Sequence, residues 1–457
     1  MSDLSFKPIS LAADVEERSR PSLSYWQDAW IRLRANKRAF ASLFVIIGML
    51  VFACAGPLVW HIDPDAQDLD QTSKPPWGDR NALVQSYEPW AGVTSAEPQG
   101  NNLSPESLEV VGDATTTFVR LVWDPVPNSN GYRIYRQIVE PRVGDPLGLP
   151  IGDTKGATSV SFEDRLDIKP KSYWYSVVAV NEQGEEFPEA ATLKVDVAFS
   201  TTIANAVERG YIEDENSVAI GDTIKVPLHP LGTDYLGRDM LSRLMEGARI
   251  SLFIGIVAPF LFVIAGVIYG SFAGFIGGNF DHVLMRFADF VIALPFLLFM
   301  ILFKLLFGIG PGESGILPML VALVVLSWPG AARLVRGEIL QIREEGYVEA
   351  SRLLGTKTPR LILRHMIPNT MGVVLVTFTF AVPSAIFTEA FLSFIGMGVT
   401  APTASWGSMC NDGIKTMETT PHELIFPALF ISITVLAFNF LGDGLRDALD
   451  ARMRYGE

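Results

Sequence analysis

The feature that most constrains this chain is a set of uncharged runs long enough to cross a lipid bilayer. A helix rises only about 1.5 Å per residue, so about 20 apolar residues are needed to span the hydrocarbon. Ala39 to Trp60 gives 22 residues without a charge, and Ile250 to Phe280 gives 31. Ser314 to Ala332 and Leu424 to Gly442 give 19 each, and Asn369 to Thr388 gives 20. A sixth segment, Leu284 to Phe307, carries Asp289 and Lys304 with 14 uncharged residues between them. The methylene chain of Lys304 can carry its ammonium to the interface. The pattern predicts six membrane spans.

Charge divides the chain into two materials. The net charge is −14, yet 27 acidic and 13 basic residues fall between Asp63 and Pro227, leaving 23 of each sign elsewhere. A soluble acidic block therefore sits between the first two spans of an electrically balanced membrane body. Nothing in this distribution suits a nucleic-acid surface, which needs clustered Lys and Arg. Two cysteines, Cys54 in the first span and Cys410 in a later loop, define no disulfide framework.

The first apolar run follows Arg32, Arg34, Lys37 and Arg38 and contains Ala53-Cys54-Ala55, as a signal peptide would. Signal peptides use about 7–15 apolar residues, so this longer run is expected to be retained as a span. Its basic flank then belongs in the cytoplasm. Six spans return the C-terminal Arg446, Arg452 and Arg454 to that side, with the basic loop from Gly330 to Pro368. The acidic block falls outside. Arg238, Arg243 and Arg249 are discordant, since they precede the second span on the outer side.

Residues 63–103 read as a linker rich in turn formers, and 104–200 change to a period of two. In Thr116 to Pro127, Phe118, Arg120, Val122 and Asp124 alternate with Val119, Leu121 and Trp123. Gly131 to Gln137 and Ser172 to Asn181 are aromatic and β-like, predicting a sandwich. With Trp123 on an early strand, Gly131-Tyr132-Arg133-Ile134-Tyr135, and Tyr173 to Asn181, the block resembles a fibronectin type III module. That resemblance implies Tyr173 as a tyrosine-corner residue, and either a module for partner docking or cell-wall contact or a plain spacer. Residues 201–249 read as a second outer linker leading to the second span.

The most informative segment is Arg343 to Asn369. Tyr347, Ala350, Leu353 and Leu354 recur at helical spacing, Gly355 interrupts, and a second helix is expected to end at Pro368. Glu349-Ala350-Ser351, Gly355 and His365-x-Ile367-Pro368 keep the spacing of the signature of ATP-binding-cassette importer permeases, which the chain resembles here. Ser351, His365 and Ile367 depart from the family's Ala, Ile and Leu. Further stretches resemble the dipeptide, oligopeptide and nickel importers in particular. They are Asp63 to Leu69, His229 to Leu252, Thr388 to Gly398, Pro402 to Gly407 and Leu436 to Arg452.

The resemblance implies an all-α polytopic membrane fold of six helices with an inserted all-β sandwich. Its parts would be a cytoplasmic segment 1–38, a first span 39–62, a five-helix core 250–445 with a coupling loop 336–368, and a cytoplasmic tail 446–457. It also implies an ATPase-coupling set of Glu345, Tyr347, Glu349, Ala350, Ser351, Gly355, Ile367 and Pro368. The implied partners are two ATPase subunits, a second related permease, an extracytoplasmic substrate-binding protein and membrane lipids. Glu389 is a candidate for the translocation path, or else sits solvated at the outer interface. Asp239 either belongs to an outer gate or caps the second span.

No phosphate-cradling G-x-x-x-x-G-K-[ST] loop, metal-ligand spacing or Ser/His/Asp arrangement occurs, so neither catalysis nor a cofactor is expected in this polypeptide. A membrane-anchored adhesion or sensor protein would use the sandwich but leave six spans unexplained. A secondary transporter would show internal repeats with interrupted spans.

Overall fold

The computed structural model describes residues 24–78, 80–96, 103–142, 146–307 and 315–449. The C-terminal Arg452 and Arg454 lie outside them. Twelve α-helices occur among the described residues. In chain order they are α1 (Tyr25–Ala35), α2 (Lys37–Val59), α3 (Ile203–Glu208), α4 (Met240–Ile276), α5 (Gly278–Ala293) and α6 (Phe296–Leu306). There follow α7 (Ile316–Ile342), α8 (Gly346–Leu353), α9 (Thr358–Leu361), α10 (Ile367–Phe394), α11 (Trp406–Ile414) and α12 (His422–Leu449).

Five helical stretches are long and apolar enough to cross a membrane, and α5 with α6 makes a sixth if a bent pair counts as one span. That pair bends by 83° at Leu294 and Pro295. Pro295 is the N-cap of α6, where a missing N–H interrupts no ladder, so the segment with the shortest uncharged run is also the broken one. Pro259, Pro329 and Pro383 lie inside α4, α7 and α10.

The chain divides into two compact units. One comprises 1–54, 248–401 and 429–457. In it, Gly266, Gly270 and Gly274 repeat every fourth residue along α4 and meet Ala331, Ala332 and Ile339 of α7. A Cβ on Gly274 would come within 2.9 Å of the Arg336 carbonyl, so only glycine permits this approach. One cluster of this unit gathers Phe262, Val263, Val267, Val335, Ile339 and Val348, and another gathers Ile254, Met300, Met319, Leu323 and Leu392.

The second helix of the basic loop does not end at Pro368. The short α9 passes through a π-helical turn, Ile362–Met366, into α10, which holds Pro368 in its first turn. The extra residue of a π turn makes room for a ring that would strike the preceding carbonyl of a regular helix.

The other unit comprises 55–247 and 402–428. Its strands are β1 (Asn81–Val84), β2 (Glu109–Val110), β3 (Val119–Val122), β4 (Gly131–Gln137), β5 (Gly152–Lys155), β6 (Ser161–Asp164), β7 (Ser172–Val180), β8 (Glu186–Asp196), β9 (Ser200–Thr201) and β10 (Thr223–Lys225). Sheets β2-β3-β6 and β5-β4-β7-β8, antiparallel throughout, form the sandwich. Trp123, Tyr132, Ile134, Tyr173, Tyr175 and Val177 fill its core. Tyr135 is buried too.

The tyrosine corner is present: the Tyr173 hydroxyl accepts from the Lys169 N–H at 3.0 Å. Tyr175 donates to Asp164 at 2.7 Å, and Arg136 pairs with the same carboxylate at 2.8 Å. Burial, with the negative Asp164 beside it, pushes the Tyr175 hydroxyl well above its ordinary pKa.

The segments flanking the sandwich are more than linkers. β1 pairs antiparallel with β10 and parallel with β9, closing a third sheet over Ala82, Val84, Phe199, Ala206, Ile224 and Val226. Cys410 is buried in α11, a helix and not a loop, and no disulfide joins either cysteine among the described residues.

The helix that carries the second span begins before residue 250, at Met240, and Asp239 caps it. Its carboxylate accepts from the Ser242 N–H at 2.7 Å and also meets His229 Nδ1 at 2.7 Å and Trp60 Nε1 at 3.1 Å. The discordant arginines are explained in part. Arg238 and Arg243 are buried and share the Asp234 carboxylate at 2.7 and 3.4 Å, so they do not act as free surface cations.

Candidate coupling segment and buried carboxylate

Glu345 precedes α8 in extended conformation, and its carbonyl accepts the first turn's N–H groups from Val348 at 2.9 Å and Glu349 at 3.2 Å. Glu349 in that first turn and Arg352 in the last complement the helix dipole. The far end closes as a Schellman motif. The Thr356 N–H reaches the Ser351 carbonyl at 3.2 Å, and the Gly355 N–H reaches that of Arg352 at 3.0 Å. Gly355 holds φ at +83°, a left-handed conformation that side chains with a Cβ rarely adopt.

One residue of α8 faces inward. Val348 has no exposed surface and packs among Phe275, Ile339, Leu361, Ile362 and Met366. Around it, Arg343 donates to the carbonyls of Gly274 (3.3 Å) and Phe275 (3.4 Å) at the end of α4. Arg352 lies 5.2 Å from the Phe275 ring centroid. The Tyr347 hydroxyl accepts from Asn369 Nδ2 at 2.8 Å, joining α8 to the start of α10.

The apolar positions that mark this helix in the sequence therefore point away from the core. Leu353 and Leu354 are 83% and 87% exposed, Tyr347 and Ala350 are exposed, and Ser351 is half-buried. Ile367 is half-buried against the same cluster as Val348, and Pro368 is exposed. His365 is half-buried in the π turn. The structure thus gathers Glu345 to Gly355 on one short helix and its two caps, and the bond between Tyr347 and Asn369 ties it to the start of α10, where Ile367 and Pro368 lie.

Glu389 lies far along α10 and is not part of that group. It has no exposed surface, so the solvated-interface alternative does not hold. Its two carboxylate oxygens accept from Ser251 of α4 and Ser393 of α10, each at 2.8 Å. Ser393 in turn accepts from the Val399 N–H at 3.0 Å. Val348, Arg343, Asn369 and Ser251 escaped the sequence reading. Only Val348 carried a signal there, an apolar residue off the stripe formed by its neighbours.

These long apolar helices, with the short exposed α8 set between two of them, carry the match to a family of transport permeases. Residues 266–455 match the family described as "Binding-protein-dependent transport system inner membrane component", and residues 24–76 match "N-terminal TM domain of oligopeptide transport permease C". The oligopeptide transport system permease protein OppC of Bacillus subtilis (strain 168) is 50% identical over 226 residues, covering 50% of this chain and 72% of that protein. The OppC protein of Escherichia coli (strain K12) is 36% identical over 298 residues, covering 65% of this chain and 97% of that protein. A solved fibronectin-type-III-like protein from Clostridium thermocellum is 26% identical, covering 20% of this chain and 90% of its own, with a TM-score of 0.17.

This chain belongs to the binding-protein-dependent family of inner-membrane transport components. It is a multi-pass permease subunit of an ATP-binding-cassette importer.

Proposed function

We propose that this permease carries short peptides inward and takes its motion from ATPase subunits that seat on α8. The observation that carries the proposal is the division of α8, with Val348 anchored inside while Ala350, Leu353 and Leu354 stand exposed. An exposed apolar helix face beside a basic loop suits insertion into a groove of another protein. Peptide cargo is supported by the names of the OppC relatives. Two ATPases, a second related permease and an extracytoplasmic binding protein complete the proposed complex.

In it the termini and α8 are cytoplasmic and the sandwich is outside, as the free basic residues of the loop favour. The parts are those expected from the sequence, save that α4 starts at Met240 and the segments flanking the sandwich contribute a third sheet, with Glu345, Tyr347, Glu349, Ala350, Ser351, Gly355, Ile367 and Pro368 forming the coupling group. Glu389 would act on cargo passage through the positions of α4 and α10, since its carboxylate is held by Ser251 and Ser393.

Uptake of a labelled oligopeptide by cells carrying Gly355→Val tests the coupling. The β-branched side chain cannot follow φ +83°, so the end of α8 is expected to rearrange and uptake to fall to background at normal membrane abundance. Uptake at the wild-type rate would overturn the proposal.

A further inference from the structure

The short helix before the first span sets exposed aromatic side chains beside a cluster of cations. Ser24 caps α1 in a reciprocal box with Gln27, so the helix starts without help from a neighbour. Ala29 and Leu33 form its buried stripe, and Leu33 packs with Ala39 and Ala448 beside Leu441 and Leu445 of α12. This fixes the roll of α1. The roll leaves Trp26, Trp30 and Ile31 about half exposed, at 52%, 50% and 52%. Trp30 meets the Phe40 ring edge-on at 6.4 Å, so α1 is held against the first turn of α2.

Exposed tryptophans are costly in water but suit the boundary where hydrocarbon meets headgroups. The charges select the kind of headgroup. Asp28 is bonded to Arg32 at 3.3 Å, the one carboxylate of the helix set against its nearest cation. Arg34, Lys37 and Arg38 are exposed and have no acidic partner among the described residues. Arg34 lies over the Phe40 ring, 5.9 Å from its centroid, at the point where α1 gives way to α2. Three unneutralised cations next to two half-exposed indoles, at the very start of a span, complement a negatively charged lipid surface.

We propose that α1 is an anionic-phospholipid site, with Trp26, Trp30 and Ile31 in the interface and Arg34, Lys37 and Arg38 on phosphate groups. The proposal rests on α2 being a span and is independent of cargo and of coupling through α8, so it stands or falls separately from them.

The test reconstitutes the full chain in mixed phosphatidylglycerol and phosphatidylcholine bilayers in which one lipid at a time carries brominated, quenching chains. Subtracting the fluorescence of a Trp26→Phe, Trp30→Phe variant isolates the two indoles of α1. Their signal is expected to be quenched about twofold or more strongly by brominated phosphatidylglycerol than by brominated phosphatidylcholine. The preference should vanish in an Arg34→Gln, Lys37→Gln, Arg38→Gln variant. It should also vanish for the unaltered chain at about 1 M salt, where charge is screened within about 3 Å, so the answer does not depend on that variant folding. Equal quenching by both lipids would overturn the proposal. So would no quenching by either, which would place another protein or water on this face.

Discussion

A carboxylate without exposed surface among apolar helices must be satisfied locally, and Glu389 is, through Ser251 and Ser393. Removing it takes away the charged acceptor of two buried hydroxyls and opens a void. Each lost hydrogen bond to a charged group costs about 1.5–3 kcal/mol, and the void adds to that. Glu389→Ala is therefore expected to lower the thermal unfolding temperature of the purified protein, and Glu389→Gln to lower it less. Unfolding of the alanine variant at the wild-type temperature would mean that Glu389 does not fasten these helices. The sequence marked Glu389 as unusual because charge is rare among apolar residues, yet its partners are serines 138 residues before it and four after it. Small hydroxyls leave no trace in a hydropathy pattern. Asp239 was more legible, because a helix cap is a local contact between neighbours in the chain.

At the scale of elements, the sandwich followed from its alternation. β4 and β7 occupy the two aromatic runs almost residue for residue, and Trp123, Tyr135, Tyr173, Tyr175 and Val177 are all buried. A fragment of residues 104–200 is expected to fold alone and melt cooperatively, since about 100 residues suffice for a core of its own. Trp123 sits against Tyr132 at 5.3 Å between ring centroids. Trp123→Ala should cost about 3–5 kcal/mol, read from chemical denaturation of the fragment. A fragment without a cooperative transition would show that the sandwich depends on the rest of the chain. The sheet of β1, β9 and β10 was illegible for a physical reason. Its strands are two to four residues long, and β1 pairs with partners more than 100 residues later in the chain, so no window contains a period. The π turn before Pro368 was hidden likewise, since a single inserted residue barely disturbs helical periodicity.

For the whole molecule, the division between membrane body and acidic insert was visible in charge and run length, because a bilayer imposes both over tens of residues. Matching the OppC protein of E. coli along 97% of that protein uses only 65% of this chain, which fits an insertion in an otherwise ordinary permease. The proposed coupling segment was legible only as a motif. The structure adds that Leu353 and Leu354, beside the motif's Ala350, are exposed, with Leu354 at 87%. The central claim is that this face seats on an ATPase subunit, and a cross-link reads it directly. Leu354→Cys, carrying a photoactivated cross-linker and expressed in native membranes, should yield an adduct with an ATP-binding subunit, and the yield should fall when Gly355→Val is added. Adducts with lipid alone, at undiminished yield with Gly355→Val, would contradict it.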